Sequence, residues 1–375
     1  MSPADPTKRP SKTAIWDLPT RLFHWLLAAL VVVGSVTGYL SPEWWMGVHI
    51  WAGYGIVILM VFRLVWGVFG SEYSRVTTFA YSPREVARHL HGVMMMRPPH
   101  YIGHNPTGAL MIFALFFVVF GITVTGLLVL GGEENQGPLA GVTSYAVGDI
   151  AKDLHGYLIG ILFVMIVVHV IGVIVESFLG RENLVRAMID GYKRLPEGID
   201  HPQPRKAHPA AAALTLGAFV LIAGAILGGL NRLPPTGLHN MPVNAVFQRE
   251  CGDCHQVYHP SLLPATSWKG LMQNLDEHFG EDASLDESTT QQIETYLATY
   301  ASEVWDTEAA NRLRRVSAKT PWQISSAPYW LQKHKEISND VFARKRIGSK
   351  ANCVACHRDA GSGRFDDQMI NIPKE

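Results

Sequence analysis

Outside two five-residue motifs the sequence contains no cysteine. Cys251, Cys254, Cys353 and Cys356 are the full set, and each lies in a C-x-x-C-H, CGDCH at 251 to 255 and CVACH at 353 to 357. A zinc site or a redox dithiol would account for one such motif. Two copies that use every cysteine and both end in histidine point instead to c-type haem, with both thiols bonded to the porphyrin and His255 and His357 on the irons. Net charge is also missing: 32 basic and 32 acidic side chains cancel, which gives no hint of nucleic-acid binding. Nothing in the chain has the pattern of a hydrolytic triad, a phosphate loop or a nucleotide fold, so the chemistry is expected to belong to bound cofactors.

What the sequence has in abundance is long apolar runs. Its 375 residues are 48% hydrophobic, mean hydropathy is +0.10, and two or three units are expected, one of them embedded in a membrane. The run from Asp153 to Phe178 is long enough to cross a bilayer and carries His155 and His169. Fourteen residues apart on a helix, they fall within about 40° on one face and ~21 Å apart along the axis, one for each half of a bilayer core ~30 Å thick. Neutral imidazole is a good axial ligand for haem iron, whereas an unpartnered polar ring in lipid is costly.

Four other runs share this character: Leu22 to Leu40 with His24 near its entry, Trp45 to Trp66 with His49 near its entry, Ala109 to Leu130, and Ala210 to Leu230. The last is free of ionisable residues, and its Gly217, Gly224 and Gly228 suit helix packing or dimerisation equally. Trp44, Trp45 and Trp51 suit an interfacial aromatic belt. No cleavable signal sequence is expected, because the first apolar run is too long and lacks a small-residue cleavage pattern. Between the second and third runs, SPREVARHL reads as a short surface helix capped by Ser82. His89, His91, His100 and His104 crowd that connection and are expected to be solvated or locally bonded, with a metal site as the alternative.

Lys and Arg decide the orientation. Lys8, Arg9, Lys12 and Arg21, then Arg63, Arg75, Arg84, Arg88 and Arg97, then Arg181, Arg186, Lys193, Arg194, Arg205 and Lys206 put fifteen on alternate connections, against Lys152 alone on the others. The positive-inside rule therefore puts the N-terminus in the cytoplasm, and five crossings deliver residue 231 onward outside. Covalent haem attachment takes place on that outer side, so the two C-x-x-C-H motifs point to the same topology from different residues. Depth then pairs His24 with His169 in the inner half and His49 with His155 in the outer half, as two bis-histidine b haems.

WDLPTRLFHW (16 to 25), GHNPTGALM (103 to 111), TGLLVLG (125 to 131), DLHGYL (153 to 158) and ESFLGRENLVRAMIDGYKR (176 to 194) resemble the bacterial cytochrome b561 and nickel-hydrogenase cytochrome b family over about residues 14 to 200. The resemblance implies a four-helix bundle with two b haems, His24, His49, His155 and His169 at ligand positions, and electron exchange with membrane quinone. It also makes His104 a structural loop residue. The tail, from CGDCH through YHPSLLPATSW, LDEHFGEDASLD and SSAPYWLQKHKEI to SKANCVACHRDAGSGRFDD, resembles the small dihaem cytochrome c family over about 246 to 373.

That second family has histidine on both faces of both haems, and the matching positions are His278 and His334, their assignment between the haems left open. His259 replaces the usual proline and, four residues after His255, cannot reach the opposite face of the same haem. Methionine ligation by Met272 or Met369 is the competing arrangement. Leu285 to Tyr300 reads as an amphipathic packing helix.

The expected architecture is all-α: a cytoplasmic tail (1–14), a membrane-embedded four-helix dihaem b domain (15–206), a fifth transmembrane tether helix (207–231) and a periplasmic, mostly helical dihaem cytochrome c domain (232–375). The expected function is electron transfer between the membrane quinone pool and a soluble periplasmic cytochrome or other redox protein. Quinol oxidation is the leading direction. The alternatives are oxidation of superoxide or a periplasmic donor with quinone reduction, and a cytochrome b subunit of a hydrogenase-like complex. Arg21, Arg63 and Glu176 near the inner boundary are candidates for the quinone site or for interfacial anchoring.

Overall fold

The computed structural model describes residues 12–194, 206–230 and 232–374. The tail through residue 11, with Lys8 and Arg9, lies outside the described residues, as do Arg205 and residue 231, where the tether helix is expected to end. The chain forms two compact units. Met1–Leu40, Val48–Val124 and Asp153–Ile226 make one, and Ser41–Gly47, Thr125–Lys152 and Leu227–Glu375 make the other.

The protein is mostly helical. In chain order the helices are α1 (Leu18–Tyr39), α2 (Met46–Phe69), α3 (Pro83–Met94), α4 (Pro106–Gly132), α5 (Tyr145–Leu179), α6 (Leu184–Asp190) and α7 (Pro209–Leu230). All of these except α3 and α6 are long and apolar enough to cross a membrane. The apolar run begins at Asp153, yet α5 begins at Tyr145, so Asp149 and Lys152 sit on the helix rather than in a loop. Hydropathy marks where lipid would end, whereas intrahelical hydrogen bonding continues through a polar stretch that nothing interrupts. Large side chains on these helices stay exposed, among them Trp51, Phe117, Val164 and Phe178, as expected of surfaces that meet lipid. Inside the bundle Ile56, Met60, Val118, Val119, Ile122 and Leu162 form the apolar core.

Polar caps fix where the elements begin. Ser82 accepts from the Glu85 N–H while the Glu85 carboxylate accepts from the Ser82 N–H, a full capping box that starts α3 where the sequence places it. Asp17 caps α1 by accepting from the Thr20 N–H at 2.9 Å, and the same carboxylate accepts from Trp66 Nε1 at 2.9 Å and Ser74 Oγ at 3.0 Å. Arg63 donates to the Ser74 carbonyl at 3.0 Å. Burial works to raise the Asp17 pKa, but hydrogen bonds from Thr20, Ser71 and Trp66 overcome it and leave the carboxylate below its usual range. Beside the Asp17 cap, Gly191 closes α6 at φ +88, and its carbonyl accepts from Ile15 and Trp16 N–H. A Cβ there would lie 2.7 Å from the Trp16 carbonyl oxygen, so both the dihedral and the space require glycine. Beside it β1 (Lys12–Ala14) pairs antiparallel with β2 (Tyr192–Arg194). In α7, a Cβ on Gly217, Gly224 or Gly228 would meet nothing within 4 Å, so these glycines mark no packing within the described chain.

The second unit carries the short helices α8 (Ala245–Cys251), α9 (Ala265–Met272), α10 (Glu287–Thr299), α11 (Glu308–Leu313), α12 (Pro328–Lys333) and α13 (Asn339–Phe342). The amphipathic segment expected at 285–300 is α10, capped by Asp286, and its Ile293 and Leu297 join Phe247, Trp268 and Met272 in the core. Replacing Asp17 with Ala removes a cap and two further bonds to the carboxylate, one from α2 and one from the connection after it. The expected cost is about 3 kcal/mol, read as a fall in the thermal midpoint of the purified full chain, with Asp17→Asn losing less.

Candidate functional site

Within the first unit, four histidines meet in two pairs. His24 on α1 faces His169 on α5 with ring centroids 6.5 Å apart, and His49 on α2 faces His155 on α5 at 6.2 Å. These are the partners that depth in the membrane selects. His49 Nδ1 lies 3.0 Å from the Gly34 carbonyl, and His155 Nδ1 lies 3.0 Å from the Ile122 carbonyl. A carbonyl can only accept, so in both rings the proton sits on Nδ1 and the lone pair on Nε2, the form that binds a metal. Gly38 leaves space for this ring: a Cβ there would stand 3.2 Å from His49 Cε1.

The second unit repeats the arrangement twice. His255 stacks with His278 at 6.1 Å, and His334 faces His357 at 6.1 Å. His278 therefore belongs with the first C-x-x-C-H and His334 with the second, a pairing that sequence left open. His255 Nδ1 bonds the Gln256 carbonyl at 2.7 Å and His334 Nδ1 the Trp330 carbonyl at 2.8 Å, which again commits Nε2 to the lone pair. The two motif segments are also joined to each other. Gln256 Oε1 accepts from the Val354 N–H at 3.0 Å, inside CVACH, and the Tyr258 hydroxyl donates to the Ala351 carbonyl at 2.7 Å.

These separations test the residues against haem. An iron about 2.0 Å from each of two imidazole nitrogens, with each ring centroid about 1.1 Å further back, spaces the centroids about 6.2 Å apart. All four pairs lie within a few tenths of an ångström of that figure. Burial, then Glu250, pushes the Cys251 thiol up to about 11, and burial raises Cys353 and Cys356. That is the reverse of what the attacking thiolate of a redox dithiol needs. The donor set fits bis-histidine haem at each pair, with thiols for covalent attachment at two of them.

A family model described as Prokaryotic cytochrome b561 matches residues 15–191. A probable Ni/Fe-hydrogenase B-type cytochrome subunit of Cupriavidus necator is 30% identical over 213 residues, 48% of this chain and 86% of that protein. This chain belongs to the prokaryotic cytochrome b561 family. A second family model, Dihaem cytochrome c, matches residues 247–365, so the cytochrome carries a dihaem c domain behind its membrane part. Among further relatives, a probable Ni/Fe-hydrogenase 1 B-type cytochrome subunit of Escherichia coli K12 is 25% identical over 216 residues, 48% of this chain and 89% of that protein. A dihaem cytochrome c of Shewanella baltica is 35% identical and covers 36% of this chain and 95% of its own, TM-score 0.30. One from Rhodobacter sphaeroides is 41% identical and covers 34% and 100%, TM-score 0.29. The cytochrome is thus a multi-pass membrane electron-transfer protein whose families imply b haem in the membrane part and c haem in the carboxy-terminal part.

His104, His89 and His100 of the cytochrome are held by local contacts. His104 lies 4.5 Å from the rings of both Trp16 and Phe79, and burial, reinforced by Arg63 and Lys193, drives its pKa down to about 3. His89 bonds Thr107 at 3.0 Å, His100 bonds Glu182, and no cluster of metal-binding side chains occurs among the described residues. Met272 is buried in the apolar core and Met369 is exposed. Arg63 is committed to the Ser74 carbonyl, Arg21 to the Ile189 carbonyl, and Glu176 lies 3.6 Å from His89. Sequence reading missed the orienting carbonyls of Gly34, Ile122 and Trp330 and the bridge from Gln256. A carbonyl leaves no signal in a sequence, because every residue has one.

His259 is buried against Trp305 and bonds Ser261 Oγ at 2.7 Å, and burial lowers its pKa to about 4. Its folded pKa lies below the unfolded value of 6.5, so the unfolded chain takes up the proton first. The stability it supports is complete above pH 6.5 and is lost as pH falls toward 4, by up to about 3 kcal/mol. Thermal midpoints of the full chain between pH 7 and 4 are expected to fall less steeply in His259→Gln than in wild type.

Proposed function

We propose that the cytochrome carries electrons between the membrane quinone pool and a soluble periplasmic redox protein, in the direction of quinol oxidation. The observation that carries this reading is the set of four imidazole pairs at iron spacing in one chain. His24 with His169 and His49 with His155 would hold two b haems, and His255 with His278 and His357 with His334 two c haems bound to Cys251, Cys254, Cys353 and Cys356. When bound, these haems supply one-electron carriage. The chain fixes the ligands: carbonyls of Gly34, Ile122, Gln256 and Trp330 take the Nδ1 protons and orient the rings. Residues 15–206 would be the membrane domain, 207–231 the tether, and 232–375 the periplasmic domain. The Lys and Arg excess on alternate connections supports a cytoplasmic N-terminus.

For the quinone we favour the open groove of about 590 Å³ that begins one turn after His169, walled by Val173, Ile174, Phe178 and Ile189 and with Ser177 and Glu182 at its polar end. Apolar walls suit an isoprenoid tail, and the polar end suits a headgroup that gives up protons.

The names of the relatives favour a second reading, in which the cytochrome serves a hydrogenase-like complex. Against it, the α4–α5 connection and the first turns of α5 are already engaged by the chain's own carboxy-terminal residues. Arg312 pairs with Asp149 at 2.6 Å, the Tyr145 N–H bonds Asp306 at 2.9 Å, and the Thr236 N–H bonds the Ala140 carbonyl at 2.8 Å.

Anaerobic stopped-flow with a short-chain quinol, following b and c α-bands separately, tests the reading. The b bands are expected to rise first and the c bands to follow. Failure of quinol to reduce either band, together with reduction by superoxide or a reduced periplasmic cytochrome and reoxidation by quinone, would reverse the direction.

A further inference from the structure

Charge in the carboxy-terminal part is sharply divided. Residues 250–311 contain twelve Asp and Glu against Lys269 alone, whereas residues 312–358 contain eleven Lys and Arg against Glu336 and Asp340. The first stretch holds His255 and His278, the second His334 and His357. Several of the arginines are consumed internally: Arg312 by Asp149, Arg314 by the Ser302 and Trp305 carbonyls. The carboxylates around the first pair are different. Asp253, Asp276, Glu277, Glu281 and Asp282 are all exposed.

The two pairs also differ in where they stand in the sequence of contacts. Phe365 packs 5.1 Å from His357, and on either side of it Arg364 donates to the Glu134 carbonyl at 3.3 Å and Gln368 to Gln136 at 2.9 Å. The His334–His357 pair is thereby tied to the polypeptide that joins α4 to α5. The His255–His278 pair is reached from it across the Gln256 and Tyr258 bridge. At the first pair Phe279, 58% exposed, stands 5.0 Å from His278. Phe279 is held there in the left-handed region, at φ 56, in a turn closed by the His278 N–H to Glu281 carbonyl bond at 2.8 Å. A large apolar ring kept in water by a costly backbone conformation, beside a redox ligand and inside a ring of carboxylates, has the composition of an interface centre with a charged rim.

We propose that this acidic face around the His255–His278 pair docks a cationic soluble redox protein, and that electrons leave the cytochrome there rather than at His334–His357. The proposal rests on the ligand pairs and outward direction given above. The carboxylates steer a lysine-rich partner by long-range attraction, which raises the association rate and makes it sensitive to salt, and Phe279 provides the apolar contact once the partner arrives. The basic face of the second pair would repel the same partner, which keeps the encounter on the exit side.

The test uses the full-length protein, reduced with quinol, and two probes: a lysine-rich soluble cytochrome c, and the same cytochrome succinylated so that its lysines become anionic. The native probe is expected to be reduced fast at low ionic strength and about tenfold or more slowly at high salt, and the succinylated probe to be slow at both. The combined Asp276→Asn, Glu277→Gln, Glu281→Gln, Asp282→Asn variant is expected to lose about tenfold of the low-salt rate and most of the salt dependence. Its c-haem content and its own reduction by quinol should be unchanged. Lys335→Gln, Lys345→Gln, Arg346→Gln should leave the native-probe rate unchanged or raised. An acidic-face variant with the wild-type rate and salt dependence, or a faster reaction with the succinylated probe, would overturn the docking face. Failure of wild type to take electrons from quinol into its c haems would instead sink the reading beneath it.

Discussion

An iron held between two imidazoles allows their rings very little latitude: the centroids must stand about 6 Å apart with both Nε2 lone pairs turned inward. Four histidine pairs in this chain have ring centroids 6.1, 6.1, 6.2 and 6.5 Å apart, and in His49, His155, His255 and His334 a carbonyl at Nδ1 leaves the lone pair on Nε2. His155 and His169 share one helix, so the position of α5 sets both membrane pairs at once, while α1 and α2 each bring one partner. Carbonyls of Gly34, Ile122, Gln256 and Trp330 hold the Nδ1 protons of His49, His155, His255 and His334. A bundle whose core is Ile56, Met60, Val118, Val119, Ile122 and Leu162 can keep such spacing because close-packed interiors yield little to displacement.

Lipid imposes the second constraint. A membrane-embedded segment must bond its own polar groups, and at the ends of the helices here that work falls to a few side chains. Asp17 receives donors from α1, α2 and the connection after α2, and Arg63, whose side chain sits near the Phe23 and Phe79 rings, bonds a carbonyl of the same connection. His104 stays neutral between two aromatic rings for the same reason, since a charged imidazole buried there would be unpaired. In the carboxy-terminal part an apolar core of Phe247, Trp268, Met272, Ile293 and Leu297 supplies the order, and hydrogen bonds from Gln256 and Tyr258 join the two C-x-x-C-H regions. The domain is small, its helices are short, and its two sites hold each other in place.

Much of this was legible in the sequence because the signals were local or periodic. Twenty-residue apolar runs mark spans, C-x-x-C-H marks covalent attachment, and depth along alternately directed helices selects His24 with His169 and His49 with His155. The cap at Ser82 was readable for the same reason, since it directly precedes the helix it starts. What stayed hidden depends on long-range folding. Nothing in the spacing of His278 and His334 says which motif each meets, because the answer lies in how more than twenty residues of short helices and turns fold back. The polar first turns of α5 carry no hydropathy signal, and the bridge from Gln256 to Val354 spans 98 residues of sequence. Charge division within the carboxy-terminal part was present in the sequence, but it acquires meaning only once each half is seen to surround a different pair.

Axial ligation is the claim on which the whole account stands, and near-infrared magnetic circular dichroism of the oxidised full-length protein measures it directly. Two histidines on each of four irons predict that every haem is low-spin with the charge-transfer signature of bis-imidazole coordination, at a ratio of two b to two c. A methionine–iron band, a high-spin haem in the intact protein or a ratio other than two to two would contradict it.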